Sequence, residues 1–185
     1  MKDKESKQKK TKGKEKKDKW VLIVLISTFI LSLIFSFISN TAIANLDLIP
    51  SIIILFLVIF LGILFDMVAI AVTVGNEEDF HAQASKKIKG AKTAIKLIRN
   101  STKVSNFCAD VIGDICGVLS GSISALISIK ISTQMNLPFN IQFVLSALVS
   151  AFTVSGKAFG KDIANKKSTE IVHKVGIVLN KFSKK

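Results

Sequence analysis

Runs of about twenty apolar residues alternate along this chain with lysine-rich segments, and that alternation constrains the fold more than any other feature. A run of that length, wound as a helix, spans roughly 30 Å of hydrocarbon. Of the 185 residues 49% are hydrophobic, yet 26 Lys and Arg face only 13 Asp and Glu. A basic soluble domain spreads its charge over a surface, whereas here charged and apolar residues are segregated along the chain, as in a membrane protein. Two Pro, ten Gly and no Tyr exclude collagen-like and disordered classes. The two cysteines, Cys108 and Cys116, supply no disulfide framework and read as small core residues.

The runs lie at about 20–43, 51–74, 105–131 and 139–156, the second interrupted by Asp66 and the third rich in Gly and Ser. They predict an all-α integral membrane protein with four transmembrane helices. The links at 45–48 and 134–138 are short, so neighbouring helices run antiparallel. Ten Lys lie in residues 1–19, seven Lys or Arg between 75 and 104, and eight from 157 onward. Basic flanks stay in the cytoplasm, which places both termini and the middle loop there and leaves only Lys130 near the opposite face. A bacterial plasma membrane is the expected location.

The expected organisation is a disordered polybasic tail (1–19), a transmembrane domain (20–165) enclosing a cytoplasmic amphipathic segment (76–104), and a C-terminal amphipathic helix (166–185). Ile88, Ala91, Ile95 and Ile98 share one helical face, and Ile171, Val175, Val178 and Phe182 another. Such helices lie in the headgroup layer with Lys toward lipid phosphates, forming a collar around the bundle. Beside a membrane helix, the lysine tail suits anionic headgroups rather than nucleic acid. Ala42-Ile43-Ala44 has the small-x-small form of a signal cleavage site, but the apolar run before it exceeds a typical signal core, so a retained helix is expected. Cleavage would leave three helices.

Three acids, Asp66, Asp110 and Asp114, fall inside the predicted spans, with no Lys or Arg expected there to pair with them. A carboxylate at mid-bilayer costs about 2.5–3.5 kcal/mol on insertion scales. Counted from the cytoplasmic helix ends, Asp66 and Asp110 lie roughly 8–12 Å deep and Asp114 a turn deeper. Asp110 and Asp114, four apart, stack on one face. Acceptor-only oxygens suit a hard divalent cation, Mg²⁺ or Ca²⁺. A soft metal is disfavoured because His81 and His173 fall in cytoplasmic segments, where they read as surface residues. The alternative is structural: carboxyls protonated, bonded to Ser, or nearer the interface.

Gly113, Gly117 and Gly121 form a G-x-x-x-G-x-x-x-G ridge extended by Ala125, which lets helices approach closely inside the bundle or in a homodimer. Ser120, Ser122 and Ser124 accompany it.

The order of parts resembles the transmembrane domain of the cyclin M/CorC magnesium transporters over about residues 51–165. Lys89-Gly90-Ala91-Lys92-Thr93-Ala94-Ile95-Lys96-Leu97 is similar to that family's first cytoplasmic helix. Ile112-Gly113-Asp114 stands at its Ile-Gly-Asn, and Gly156-Lys157-Ala158-Phe159-Gly160-Lys161 at its Gly-Glu-x-x-Pro-Lys. The resemblance implies a three-helix core, with the first helix as an addition. It also implies a Mg²⁺ site lined by Asp66, Asp114 with Asp110 one turn earlier, and the Gly156 carbonyl. The sequence departs from the family at Val118, Lys157 and Gly160, and lacks its nucleotide-binding CBS pair, so ATP-linked regulation in cis is not expected.

The leading expectation is a diverged divalent-cation transporter or exporter, with Mg²⁺ as the bound or carried ion. The alternatives are a non-transporting regulator or partner subunit that keeps the fold, and a holin-like pore. Enzymatic activity is not expected, because no nucleophile–base pair or phosphate-binding loop appears.

Overall fold

The computed structural model describes residues 22, 23, 25–37, 41, 43, 45–135 and 141–182. The expected tail (1–19), residue 20, Ala42, Ala44 and residues 136–138 of the second link lie outside them. Among the described residues the architecture is all helical, without strands. The elements are α1 Leu25–Phe37, α2 Leu48–Val74, α3 Glu77–Ser85, α4 Ala91–Arg99, α5 Ser101–Met135, α6 Gln142–Lys166 and α7 Ser168–Phe182. Three of them, α2, α5 and α6, are long and apolar enough to cross a membrane, while the described part of α1 is shorter.

The long helices pack on one another, with α2 touching both α5 and α6. Small residues set the separations. A Cβ on Gly62 of α2 would lie 3.1 Å from Cys116 Cβ on α5. Gly156 and Gly160, one turn apart on α6, lie against Ile63 and Met67 of α2, where an added Cβ would run into Ile63 Cδ1 in the first case and lie 2.8 Å from Met67 Cγ in the second. This small-xxx-small contact brings α6 directly onto α2.

Element limits depart from the expected ones in instructive ways. Helix α5 starts at Ser101 because a short α-helical turn feeds without a break into a π-helical stretch, Asn106–Gly113, and then into Asp114–Met135. Helix α6 continues ten residues beyond 156, since Lys157–Lys166 contains no Pro and an Asp162–Lys166 pair at 2.7 Å supports its last turn. The segment 76–104 is divided where Lys87 (φ 55°) and Gly90 (φ 86°) turn the chain between α3 and α4.

Helices α3, α4 and α7 form the collar at one end of the bundle. Phe80, Ala94, Ala164 and Val172 are buried there with Ala71 and Val72 of α2. Asn76 caps α3 by accepting from the Glu78 N–H at 3.2 Å, and Glu77, Glu78 and Asp79 fill its first turn, where the helix dipole favours anions. Helix α7 docks on α4 through glycines. A Cβ on Gly90 would sit 2.7 Å from the Ile177 nitrogen, and one on Gly176 2.7 Å from the Gly90 oxygen. On α7, Val172 and Gly176 are buried against the collar and Ile171 packs beside them, whereas Val178 is 54% exposed. Docking to protein, not hydrophobic spacing alone, chooses the face.

The opposite end is held by Lys130. Its ammonium donates to the carbonyls of Ile43 and Leu46, and to Ser51 Oγ at 3.3 Å. The residue expected merely near that face is thus a clamp between α5 and the turn preceding α2. Ile43 is itself core, 1% exposed among Leu55, Ile59, Ile123 and Ile127. Cleavage after residue 44 would remove a core side chain and one of the clamp's acceptors.

Candidate functional site

Asp66 lies on α2 two turns before its collar end, in a cleft that α5 and α6 complete. The π-helical stretch of α5 contributes Asn106 and Asp110, α6 contributes Lys161, and α2 adds Thr73. Together they line a cleft of about 300 Å³. The residue Asp66 is half-buried, but its Oδ2 is fully enclosed and has no hydrogen-bond partner. Enclosing an acceptor without a partner costs about 1–3 kcal/mol, and more when it is charged. A group with protons or positive charge placed in the cleft would relieve that cost.

Of the four expected ligands, the structure brings two together. Asp66 and Asp110 line the cleft; Asp114 does not, and is exposed. Asp110 belongs to the π-helical stretch and Asp114 opens the α-helical part that follows it, and of the two only Asp110 lines the cleft. Gly156 lies in the unbroken interior of α6, where it serves the contact with Ile63. Among the described residues no group of three or more His, Cys, Asp or Glu is placed to hold a metal ion.

The expectation that no basic residue accompanies the acids is corrected. Because α6 runs on to Lys166, it carries Lys157 and the exposed Lys161 alongside the other long helices. Lys161 lines the cleft, yet the ion pairs among the described residues are Glu77–Arg99, Glu77–His81 and Asp162–Lys166, and none includes Asp66 or Asp110. Lys157 reaches toward α5, its Nζ 3.8 Å from where a Cβ on Gly113 would be. The glycine ridge is consequently split. Gly113 faces this lysine, while nothing approaches within 4 Å of a Cβ on Gly117 or Gly121.

The remaining candidates are structural. Cys108 is buried and Cys116 half-buried, both as free thiols. His81 pairs with Glu77 at 3.0 Å, and His173 contacts the Lys89 carbonyl at 3.1 Å. In the collar, the Arg99 guanidinium bonded to Glu77 at 2.7 Å holds that carboxyl below its ordinary range.

No family model, curated protein or solved structure matches this chain.

Sequence reasoning passed over Lys161, Asn106 and Thr73. For Lys161 a signal was present: Lys157–Lys166 keeps helical composition past the apolar run, so the helix had no reason to stop at 156. The π-helical stretch has no comparable signature, since its residues are ordinary for a membrane helix.

Proposed function

We propose that the chain is a four-span membrane protein whose Asp66–Asp110 cleft binds a hard cation entering from the cytoplasmic collar. Membrane placement is supported by large apolar side chains facing outward around the long helices, such as Phe143 (79% exposed) and Phe159 (71%). Helix α1 is apolar and is the fourth span on this reading. Lysine distribution supports cytoplasmic termini in a bacterial plasma membrane, with the tail and collar on anionic headgroups.

The observation that carries the cation reading is the enclosed, partnerless Asp66 Oδ2 beside Asp110. Two carboxylates and the amide of Asn106 are oxygen donors of the kind Mg²⁺ uses while keeping several waters. On this reading the chain is a minimal divalent-cation transporter, and the motif resemblance to the cyclin M/CorC domain points the same way. Asp114 and Gly156 move out of the ligand set proposed for it. Lys161 favours a second reading: a lysine in the cleft supplies its own positive charge, which suits a non-transporting partner subunit or regulator.

Thermal unfolding of the detergent-purified protein with Mg²⁺, Ca²⁺ or Mn²⁺ separates the two. Cation transport predicts a saturable Mg²⁺-dependent rise in Tm, equivalent to about 2.7 kcal/mol at a hundred times Kd. Asp66→Asn and Asp110→Asn abolish it and Asp114→Asn retains it. If wild type does not respond, or all variants respond alike, the non-transporting reading replaces it.

A further inference from the structure

The three long helices do not fill all the space between them. Together they line a cavity of about 130 Å³ whose wall is wholly apolar. The wall begins at Ile52, next to the Ser51 hydroxyl that Lys130 bonds, so the cavity lies toward the Lys130 end of the bundle. Leu55, Ile59 and Ile127 are buried and form its floor, whereas Phe56, Leu148 and Phe152 are 52, 48 and 54% exposed and form its rim. At that rim the Phe56 and Phe152 rings meet edge to face across α2 and α6, their centroids 6.1 Å apart. One turn further along α6, at Gly156 and Gly160, the same two helices leave no room even for a methyl group. The gap is therefore local, set where bulky side chains face each other instead of glycine.

We propose that this cavity seats a stretch of acyl chain from a phospholipid in the leaflet at the Lys130 end. The inference rests on the membrane placement above but not on the cation cleft. An unfilled apolar cavity forfeits dispersion contacts over its whole wall, and water entering it finds no hydrogen-bonding group. Apolar cavities of about 150 Å³ stay dry and admit molecules such as benzene, so a short run of methylenes is of the right size and chemistry. The rim says where that hydrocarbon comes from. Phe56, Leu148 and Phe152 belong to the outward apolar surface that the bilayer covers on the membrane reading, so the mouth opens on acyl chains and not on water. Ile52 to Ile59 rises about 10 Å along α2, and no charged or hydroxyl side chain lines the site. The lipid is accordingly held by its chain, with no selection among headgroups, unlike the lysine-rich collar.

The test is fluorescence quenching by phosphatidylcholine with brominated acyl chains, titrated into the detergent-solubilised full chain. Trp20, the single tryptophan, is replaced by Phe, and a new one is placed at the rim as Phe152→Trp or away from the cavity as Phe143→Trp. Quenching of Phe152→Trp is expected to saturate at one lipid per chain, while that of Phe143→Trp only follows the mole fraction of lipid in the micelle. Phosphatidylglycerol with the same brominated chains should give the same plateau. Filling the cavity with Leu145→Phe, or from the other wall with Ile52→Phe, should abolish the plateau and raise Tm in lipid-free detergent. Quenching at Phe152→Trp that follows mole fraction as at Phe143→Trp, a plateau seen with phosphatidylglycerol alone, or a plateau that survives both filled variants in folded protein would overturn the proposal. Alkaline carbonate extraction of native membranes is run alongside. Protein that stays in the pellet but shows no plateau rejects the acyl-chain site alone, whereas protein released into the supernatant rejects the membrane placement.

Discussion

Two small-residue stripes of the same spacing have opposite fates in this molecule. On α6, Gly156 and Gly160 are closed over by Ile63 and Met67. On α5, Gly117 and Gly121 are open. The difference comes from what lies opposite, not from the motif. Helix α6 meets the middle of α2, whose bulky side chains fill the glycine gaps, whereas the glycines of α5 lie on its face away from α2. A third pair, Gly90 and Gly176 in the collar, is closed by backbone rather than side chains. Flexible side-chain ends can yield to a new methyl; a backbone already bonded cannot.

That distinction predicts an order of effects. The largest is Gly176→Ala. Its Cβ would lie 2.7 Å from the Gly90 oxygen and 3.2 Å from the Ala94 nitrogen, atoms that are themselves bonded to each other at 2.8 Å. Helix α7 must detach from α4 or distort its first turn, at a cost of about 3 kcal/mol. Proteolysis of the C-terminal segment should accelerate before global melting changes. Next is Gly160→Leu, which forces Met67 and Ile63 aside at a cost of about 1–3 kcal/mol. Measured beside Gly121→Leu in dilute detergent, it sharpens the comparison: the α6 substitution lowers Tm and the α5 substitution does not. Equal effects would mean that the two stripes do not differ as described.

The glycine patterns also show where sequence reasoning reaches and stops. The three long helices were legible because apolar runs declare themselves by length. Asp66 and Asp110 were legible as a pair because counting from helix ends fixes depth. Azimuth was not legible. The π-helical stretch that carries Asp110 leaves no mark in hydropathy, and the four-residue spacing did not tell which of Asp110 and Asp114 lines the cleft. The packing of α7 was not legible for a related reason: Gly176 is set by its close approach to Gly90, and periodicity does not see a partner. Lys161 was misplaced by a boundary, since apolar content falls at 156 while helix continues to Lys166. In each case a property of one element was readable and a relation between elements was not.

The smallest expected effect tests whether the collar is joined by glycine contacts or by charge. Glu77 at the start of α3 bonds Arg99 at the end of α4 at 2.7 Å, and that guanidinium, more than His81, holds the carboxyl below its ordinary value. A lowered folded-state pKa means the unfolded chain binds the proton more readily. The pair's contribution is therefore present above the ordinary carboxylate range and disappears as pH falls through the lowered value. The pair is solvent-exposed, so screening keeps the contribution small and sensitive to salt. Glu77→Gln should lower Tm slightly at neutral pH and low ionic strength, and its difference from wild type should vanish both in acid and in high salt. Gly176→Ala should remain destabilised in all of these conditions. A Glu77→Gln loss as large as that of Gly176→Ala, or one indifferent to salt, would mean that charge rather than glycine contact holds the collar together.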